Sequence, residues 1–440
     1  MRNTFKFIVT GFLAVLVFTG CGYRAPLHAS YIPEEIDTAR FAPVRSDFQQ
    51  LAALMTKDTG MDPVTGNTLG LIPDQHQKFD LLISDAQAAE ESIYIDHYRF
   101  CYDDYGAQLA DIMIDKAADG KDMRAIVDYA AHNNAQRKAH KPILQSQVDF
   151  RYFHVPVMLI DYLLPAQGTH REHRKIALFD GKTAYMGGRN IQDRYFVSWR
   201  DADIRITGPV VSDLMAVYND NQYRLAPELE PVIAKPEPVL REAAARDTVP
   251  GLQLFYDKTI QIVPDAPTDE RLPIRNCFQW AIEHASQYFW FYNPYASPTA
   301  PVLKALKNAA ARGVDVRWIV PGNNDVKLAK SMGESIYGEL IRAGVRIFEW
   351  QGNVLHAKQF MVDDYLTAIG SANLDNLSLF LNYEVEALIY DEAFTRHAAD
   401  IFRHDLESDC VEITQEEVRR WSIFRKFWNW MVRTLAGPMA

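Results

Sequence analysis

Short apolar runs follow one another along most of this chain, and they recur in the same order twice. "ESIYIDHYRF" (91–100) is dense in β-branched and aromatic residues and predicts a strand. "YGAQLADIMIDKAADGKD" (105–122) spaces its apolar positions by three and four, which predicts a helix; "MRAIVDY" (123–129) predicts a second strand. In the other half, "SQYFWFYNPY" (286–295), "APVLKALKNAAARGVD" (300–315) and "VRWIVPG" (316–322) repeat the order strand, helix, strand. The intervening "APELEPVIAKPEPVLREAAARDTVPG" (226–251) is rich in Pro and Glu and reads as a linker.

A polar motif rides on this pattern and is also doubled. "HRKIALFDGKTAYMGGRN" (173–190) and "HAKQFMVDDYLTAIGSAN" (356–373) both read H-x-K-x4-D-x6-G-[GS]-x-N, offset by 356 − 173 = 183 residues. That period is too long for a solenoid. It predicts a duplicated α/β domain: two lobes, each a β-sheet flanked by helices, related by a pseudo-twofold axis. Residues two apart on a strand share a face, so His173 points with Lys175, and His356 with Lys358. Gly187-Gly188 and Gly370-Ser371 leave backbone room for a ligand, and Asn190 and Asn373 offer amide donors.

Brought together across the axis, two His, two Lys and two Asn suit a phosphoryl oxyanion without a metal or other cofactor. One imidazole can attack phosphorus while the other protonates the departing alkoxide. Which does which is not written in the residues. Asp180 and Asp363 complete the candidate catalytic set, though their place in turns fits structural hydrogen bonding equally. A solvated strand would account for one H-x-K; two copies holding six positions in register speak for chemistry.

Composition narrows the substrate. At 440 residues, 48% hydrophobic, the chain can fill more than one core, and its net charge of −11 argues against gripping nucleic acid. The N-terminus carries Arg2 and Lys6, an apolar run from Phe7 to Phe18, then Thr19-Gly20-Cys21. This order predicts a lipoprotein-type signal (1–20) with lipidation at Cys21, the alternative being a short uncleaved anchor. Either places the body outside the cytoplasm and tethered to a membrane, as a cell-envelope lipoprotein facing the periplasm. Cys101, Cys277 and Cys410 remain, enough for at most one disulfide, and no Cys/His spacing suggests zinc. The segment 21–60 has no clear period and reads as a tether, followed by lobes at 61–240 and 241–412. "VPVMLIDYLLP" (155–165) is either core or an apolar lip for acyl chains.

The doubled motif resembles the signature of the phospholipase D superfamily, over residues from about 70 to about 400. "REHRKIALFDGKTAYMGGRNIQDRY", "SWRDADIRITGPVV" and "LHAKQFMVDDYLTAIGSANLDNLSLFLNYE" are most similar to bacterial cardiolipin synthases. Such synthases usually carry Arg-Ser after the Asn-x-Asp, where this chain has Asn376-Leu377-Ser378. The resemblance implies His173 as nucleophile, His356 as acid and then base, and Lys175, Lys358, Asn190 and Asn373 as phosphate holders. It also implies carboxylates that orient the imidazoles, at Asp201 in "WRDAD" and Glu384 in "NYEVE", with a surface carboxylate at a strand end as the equal alternative. The activity it implies is phosphatidyl transfer between phospholipids such as phosphatidylglycerol or phosphatidylethanolamine; the rivals are phospholipase D hydrolysis, a nuclease, or an inert scaffold.

A last pattern closes the chain. In 413–440, Val418, Trp421, Phe424, Trp428, Met431 and Leu435 recur at three and four, with Arg419, Arg420, Arg425, Lys426 and Arg433 between them and no acid after Glu417. This predicts a basic amphipathic helix for an anionic membrane surface, or else a terminal helix packed on the core.

Overall fold

The computed structural model describes residues 41–155, 170–225, 248–267, 270–295 and 297–436. Its centre is one mixed sheet of 15 strands. The first half supplies β1 (Val64–Ile72), β2 (Ser92–His97), β3 (Asp122–Asp128), β4 (Asp149–Phe153), β5 (Lys175–Phe179), β6 (Thr183–Gly187) and β7 (Asp203–Thr207). The second supplies β8 (Phe255–Asp265), β9 (Tyr288–Tyr292), β10 (Asp315–Pro321), β11 (Arg346–Trp350), β12 (Gln359–Val362), β13 (Leu366–Gly370), β14 (Glu384–Tyr390) and β15 (Cys410–Ile413).

From one edge the order is β4-β3-β2-β5-β6-β7-β1, and from the other, inside β15, it is β11-β10-β9-β12-β13-β14-β8. Each strand of the second series is the first-series strand plus seven. β2-β3-β4 and β9-β10-β11 run parallel, and the remaining pairs are antiparallel. The equivalent strands β1 and β8 pair antiparallel with each other, so the pseudo-twofold axis passes between them and both lobes share one sheet.

Helices cover both faces, which is why the strands read as nearly unbroken apolar runs. Ile176 and Leu178 of β5 enter a core common to both lobes, under the helices Val211–Leu225 and Glu392–Asp409. The alternate residues Ala177 and Phe179 enter the outer core of the first lobe, under Gln75–Ala88 and Asp104–Ala118. The outer core of the second lobe lies under Pro273–His284, Ala300–Ala311 and Lys327–Arg342.

Two expectations are corrected, the tether over 21–60 and the single helix of the tail. The segment 21–60 is not tether throughout: Gln49–Thr59 is a helix whose Leu51, Ala52 and Met55 are fully buried beside Trp280 and Ala281. The second lobe is thus completed by chain that precedes the first. Gln261 of β8 fastens it, donating to the Ala52 carbonyl (3.0 Å) and the Met61 carbonyl (2.8 Å). The tail is two helices, Gln415–Arg420 and Ile423–Ala436, broken at Trp421-Ser422. Cys101, Cys277 and Cys410 are all unpaired. The signal, Cys21, most of the linker and most of "VPVMLIDYLLP" lie outside the described residues, among which no helix is long and apolar enough to cross a membrane.

Candidate active site

Both histidines stand at the lobe junction, His173 just before β5, which begins at Lys175, and His356 just before Lys358 and β12. The amide of His173 donates to the Tyr383 carbonyl (3.0 Å), and that of Tyr383 to the Arg171 carbonyl (2.8 Å). In the other half His356 donates to Arg200 (2.7 Å) and Arg200 to Val354 (3.0 Å). Each histidine arm is therefore stitched to the opposite lobe, and it is stitched next to a carboxylate.

The carboxylates are exchanged across the junction. His173 Nδ1 bonds Glu384 Oε1 at 2.8 Å, and His356 Nδ1 bonds Asp201 Oδ2 at 2.7 Å. Both carboxylates are fully buried, which answers the surface alternative. With Nδ1–H donated to a carboxylate, each ring carries its lone pair at Nε2. The register was present in the sequence: 201 + 183 = 384, so Asp201 and Glu384 are the same position of the repeat.

Burial sets the resting protonation. It lowers His173 and His356 to about 4 despite their carboxylates, so both imidazoles rest neutral. Burial alone would raise Glu384 and Asp201, but the paired imidazoles and nearby ammonium groups hold both below the usual carboxylate range. Lys175 is lowered to about 7 by burial, with the Lys358 charge adding to the effect, and burial lowers Lys358 too. Lys358 Nζ lies 3.0 and 3.2 Å from the two ring nitrogens of His356 and donates to the His356 carbonyl at 2.6 Å; Lys175 donates to the His173 carbonyl. Two weakly held protons on lysines, beside two lone pairs, make a buried cluster that gains greatly from an incoming anion.

The motif aspartates take the structural role that their place in turns allowed. Asp180 and Asp363 are at the far ends of β5 and β12, about 16 Å along the strand from their lysines at ~3.3 Å per residue. Asp180, at φ +52°, accepts the amides of Glu90, Glu91 and Ser92 (2.9, 2.8 and 2.9 Å). Asp363, at φ +51°, accepts those of Ser286, Gln287 and Tyr288 (2.7, 2.8 and 2.9 Å). They fix the starts of β2 and β9 and stand outside the histidine cluster.

The glycine pairs make room for the protein's own partners rather than for a ligand. A Cβ at Gly188 would sit 2.1 Å from Asp201 Oδ1, and one at Gly370 would sit 2.2 Å from the Val385 carbonyl. The Asn190 carboxamide is engaged at both ends, accepting from Arg99 N (3.1 Å) and donating to the Tyr195 hydroxyl (2.8 Å). Asn373 is buried, and its Oδ1 has no partner among the described residues. Asn376-Leu377-Ser378 leads into a five-residue π-helical turn, Leu377–Leu381.

Sequence reasoning missed the aromatic walls. Tyr98 meets the His173 ring edge-on at 5.0 Å, with Arg99, Arg171 and Arg194 near enough to lower its proton affinity against the burial that raises it. Tyr195, Trp199 and Tyr295 surround His356 at 5.3, 5.4 and 6.2 Å. Their only signal was aromatic density just after the motif and just after β9.

The chain has known relatives in sequence and in fold. The family model described as "Cardiolipin synthase, PLD-like domain" matches residues 82–221 and 280–406, one segment in each lobe. The chain belongs to this family. Accordingly it is an enzyme of the phosphatidyltransferase and phospholipase D type. A cardiolipin synthase of Listeria welshimeri is 29% identical over 398 residues, covering 88% of this chain and 79% of that one. Cardiolipin synthase A of Pseudomonas entomophila is 29% identical over 392 residues, covering 88% and 77%. In fold, the chain is similar to phosphatidylserine synthase of Haemophilus influenzae, with a TM-score of 0.65 at 14% identity over 88% of this chain and 98% of that one.

Proposed function

We propose that this member of the family makes cardiolipin, moving a phosphatidyl group from a donor such as phosphatidylglycerol, or phosphatidylethanolamine, to the hydroxyl of a second lipid. The observation that carries the reading is the exchanged pair of buried imidazole–carboxylate bonds, one for each chemical role.

A phosphodiester anion drawn between Lys175 and Lys358 offsets the burial that disfavours charge, and so raises the proton affinity of the imidazoles. Nε2 of His173 attacks phosphorus. The bond to the donor headgroup breaks, and His356, now protonated, delivers its proton to the departing oxygen. Glu384 balances the charge of the phosphorylated imidazole. The acceptor hydroxyl then gives its proton to neutral His356 as its oxygen takes phosphorus, and His173 is released. Tyr98 covers one side of the His173 ring, and a lipid acceptor prevails over hydrolysis on this reading only where water is kept from the intermediate.

By the same reading the enzyme works in the cell envelope of a bacterium, lipidated at Cys21 and facing the periplasm, where tethering raises the local concentration of acceptor lipid. Cys21→Ser should abolish fatty-acid incorporation; unchanged labelling would remove the tether from the account.

The deciding experiment presents vesicles of phosphatidylglycerol, alone and mixed with phosphatidylethanolamine. Cardiolipin with released glycerol or ethanolamine, absent in His173→Ala, is the expected result. Phosphatidic acid as the dominant product would assign hydrolysis instead.

A further inference from the structure

The helix Ile423–Ala436 has three sides, and two of them are unaccounted for. Its inner side is held by Glu334 of the helix Lys327–Arg342, which receives Arg425 (2.8 and 2.9 Å) and Asn429 (2.9 Å), while Val432 is buried against Ala329 and Met332. Its outer side is apolar and exposed: Ile423 77%, Phe424 82%, Phe427 59% and Trp430 60%. The stripe that spacing suggested is exposed in part, at Phe424, Trp428 and Leu435, while Trp421 is half-buried beside Tyr337 and Met431 is half-buried as well. An apolar face of this kind turned to water is unusual unless something covers it.

The third side borders a cleft of about 300 Å³ between the two helices, reached by Arg342, Lys426 and Arg433 and flanked by Trp421 and Trp430. Its two acids are already taken. Glu334 is held by Arg425, and Glu339 by Lys307 with Arg433 at 3.9 Å. Lys426 donates to the Arg419 carbonyl at 2.7 Å, which leaves most of its ammonium free. Positive charge is therefore in excess here, in a chain whose net charge is −11; from Val418 to the end there are five cations and no acid. Two such basic faces would repel each other, so a second copy is a poor partner. A surface that is apolar beneath and anionic at phosphate level fits both sides at once.

We propose that this cleft is a second, non-catalytic phospholipid site, which takes the headgroup phosphate of an anionic bilayer lipid while the aromatic side of the helix inserts. For its place in the reaction it rests on the phospholipid substrate proposed above. The site is linked to the chemistry by packing: Tyr295 lies against the Ala329–Met332–Val432 cluster, and its ring is 6.2 Å from that of His356. Docking thus seats on the bilayer the same wall that borders the acid-base histidine.

The test uses the full chain, sedimented with phosphatidylcholine vesicles with and without phosphatidylglycerol. The wild type should bind the anionic vesicles selectively, with a blue shift of tryptophan emission. Arg342→Gln/Lys426→Gln should bind them about 25-fold more weakly, at roughly fivefold for each cation near an anionic surface. Phe424→Ser/Phe427→Ser should lose the blue shift. Both variants should unfold at the wild-type temperature and turn over a monomeric short-chain phospholipid at the wild-type rate. Undiminished vesicle binding by either variant would overturn the proposal, as would an equal loss of turnover on the monomeric substrate. So would dissociation of a wild-type dimer by Phe424→Ser/Phe427→Ser with vesicle binding intact. Selective binding that the variants lose, with no protein turning over any lipid, would uphold the docking site and defeat the transferase reading alone.

Discussion

Replacing Glu384 by Gln removes one charge while keeping the shape of the site. Glu384 receives His173 Nδ1 at 2.8 Å through one oxygen and the Ser371 hydroxyl through the other. Ser371 Oγ also accepts the Val385 amide (3.0 Å), so it is held in place and its hydroxyl can turn to accept from a carboxamide. The substituted side chain can then keep its oxygen on the imidazole. What is lost is the attraction between a full negative charge and the imidazole that becomes cationic on taking phosphorus. With charge centres about 4 Å apart and an effective dielectric constant of about 20, that attraction is roughly 4 kcal/mol. If it operates in the transition state, adduct formation slows by about a thousandfold. Rapid quenching during turnover, with the phosphohistidine followed by mass at residue 173, measures the step directly. Adduct formation within threefold of wild type would refute the role given to the exchanged carboxylate, and an adduct mapped to His356 would reverse the assignment of nucleophile and acid.

Two other outcomes follow from the site. ¹⁵N NMR should find His173 and His356 neutral and protonated at Nδ1 until the pH falls to about 4, because burial depresses both from 6.5. Between those values the unfolded chain binds protons that these folded rings refuse, so their contribution disfavours folding in acid, by ~1.4 kcal/mol per pH unit for each ring; titration near 6.5 would contradict the burial argument. Asp363→Ala removes the acceptor for three amides and the Ser286 hydroxyl, and should cost roughly 2–4 kcal/mol in thermal or denaturant unfolding while kcat of the folded fraction stays near wild type. A large fall in kcat at unchanged stability would return Asp363 to the chemistry.

Much of this arrangement was legible in the residues. The short apolar runs located β2, β3, β5, β6 and their counterparts, because both sheet faces are covered and selection for apolar side chains is strong. The doubled histidine and lysine were legible for the opposite reason, being polar residues that an apolar strand would otherwise exclude. What escaped were effects of tertiary packing. Gln49–Thr59 is a helix with a weak polar–apolar contrast, and only the groove beside Pro273–His284 gives it a reason to form. The aspartates of the motif allowed either role in one dimension, and the strand decides it by carrying them away from the histidines. The outward face of the tail depends on Glu334, which is almost a hundred residues earlier in sequence. The carboxylate partners obeyed the 183-residue offset, but that they would be traded between lobes is a property of the axis.

The exchange also bears on how such a chain could have arisen. A lobe holds one histidine and the carboxylate of another lobe's histidine, so alone it contains no complete pair. A one-lobe protein with this layout would be silent as a monomer and active as a twofold dimer, with activity rising steeply with concentration. Joining two copies in one chain makes the encounter intramolecular and removes that dependence. It also releases the copies from identity, and the differences are visible: Asp201 answers to Glu384, Gly188 to Ser371, and the ion pair of Arg189 with Asp203 to Ala372 and Glu386. A symmetric dimer must give both histidines the same surroundings. A fused one can let the first become the better nucleophile and the second the better acid.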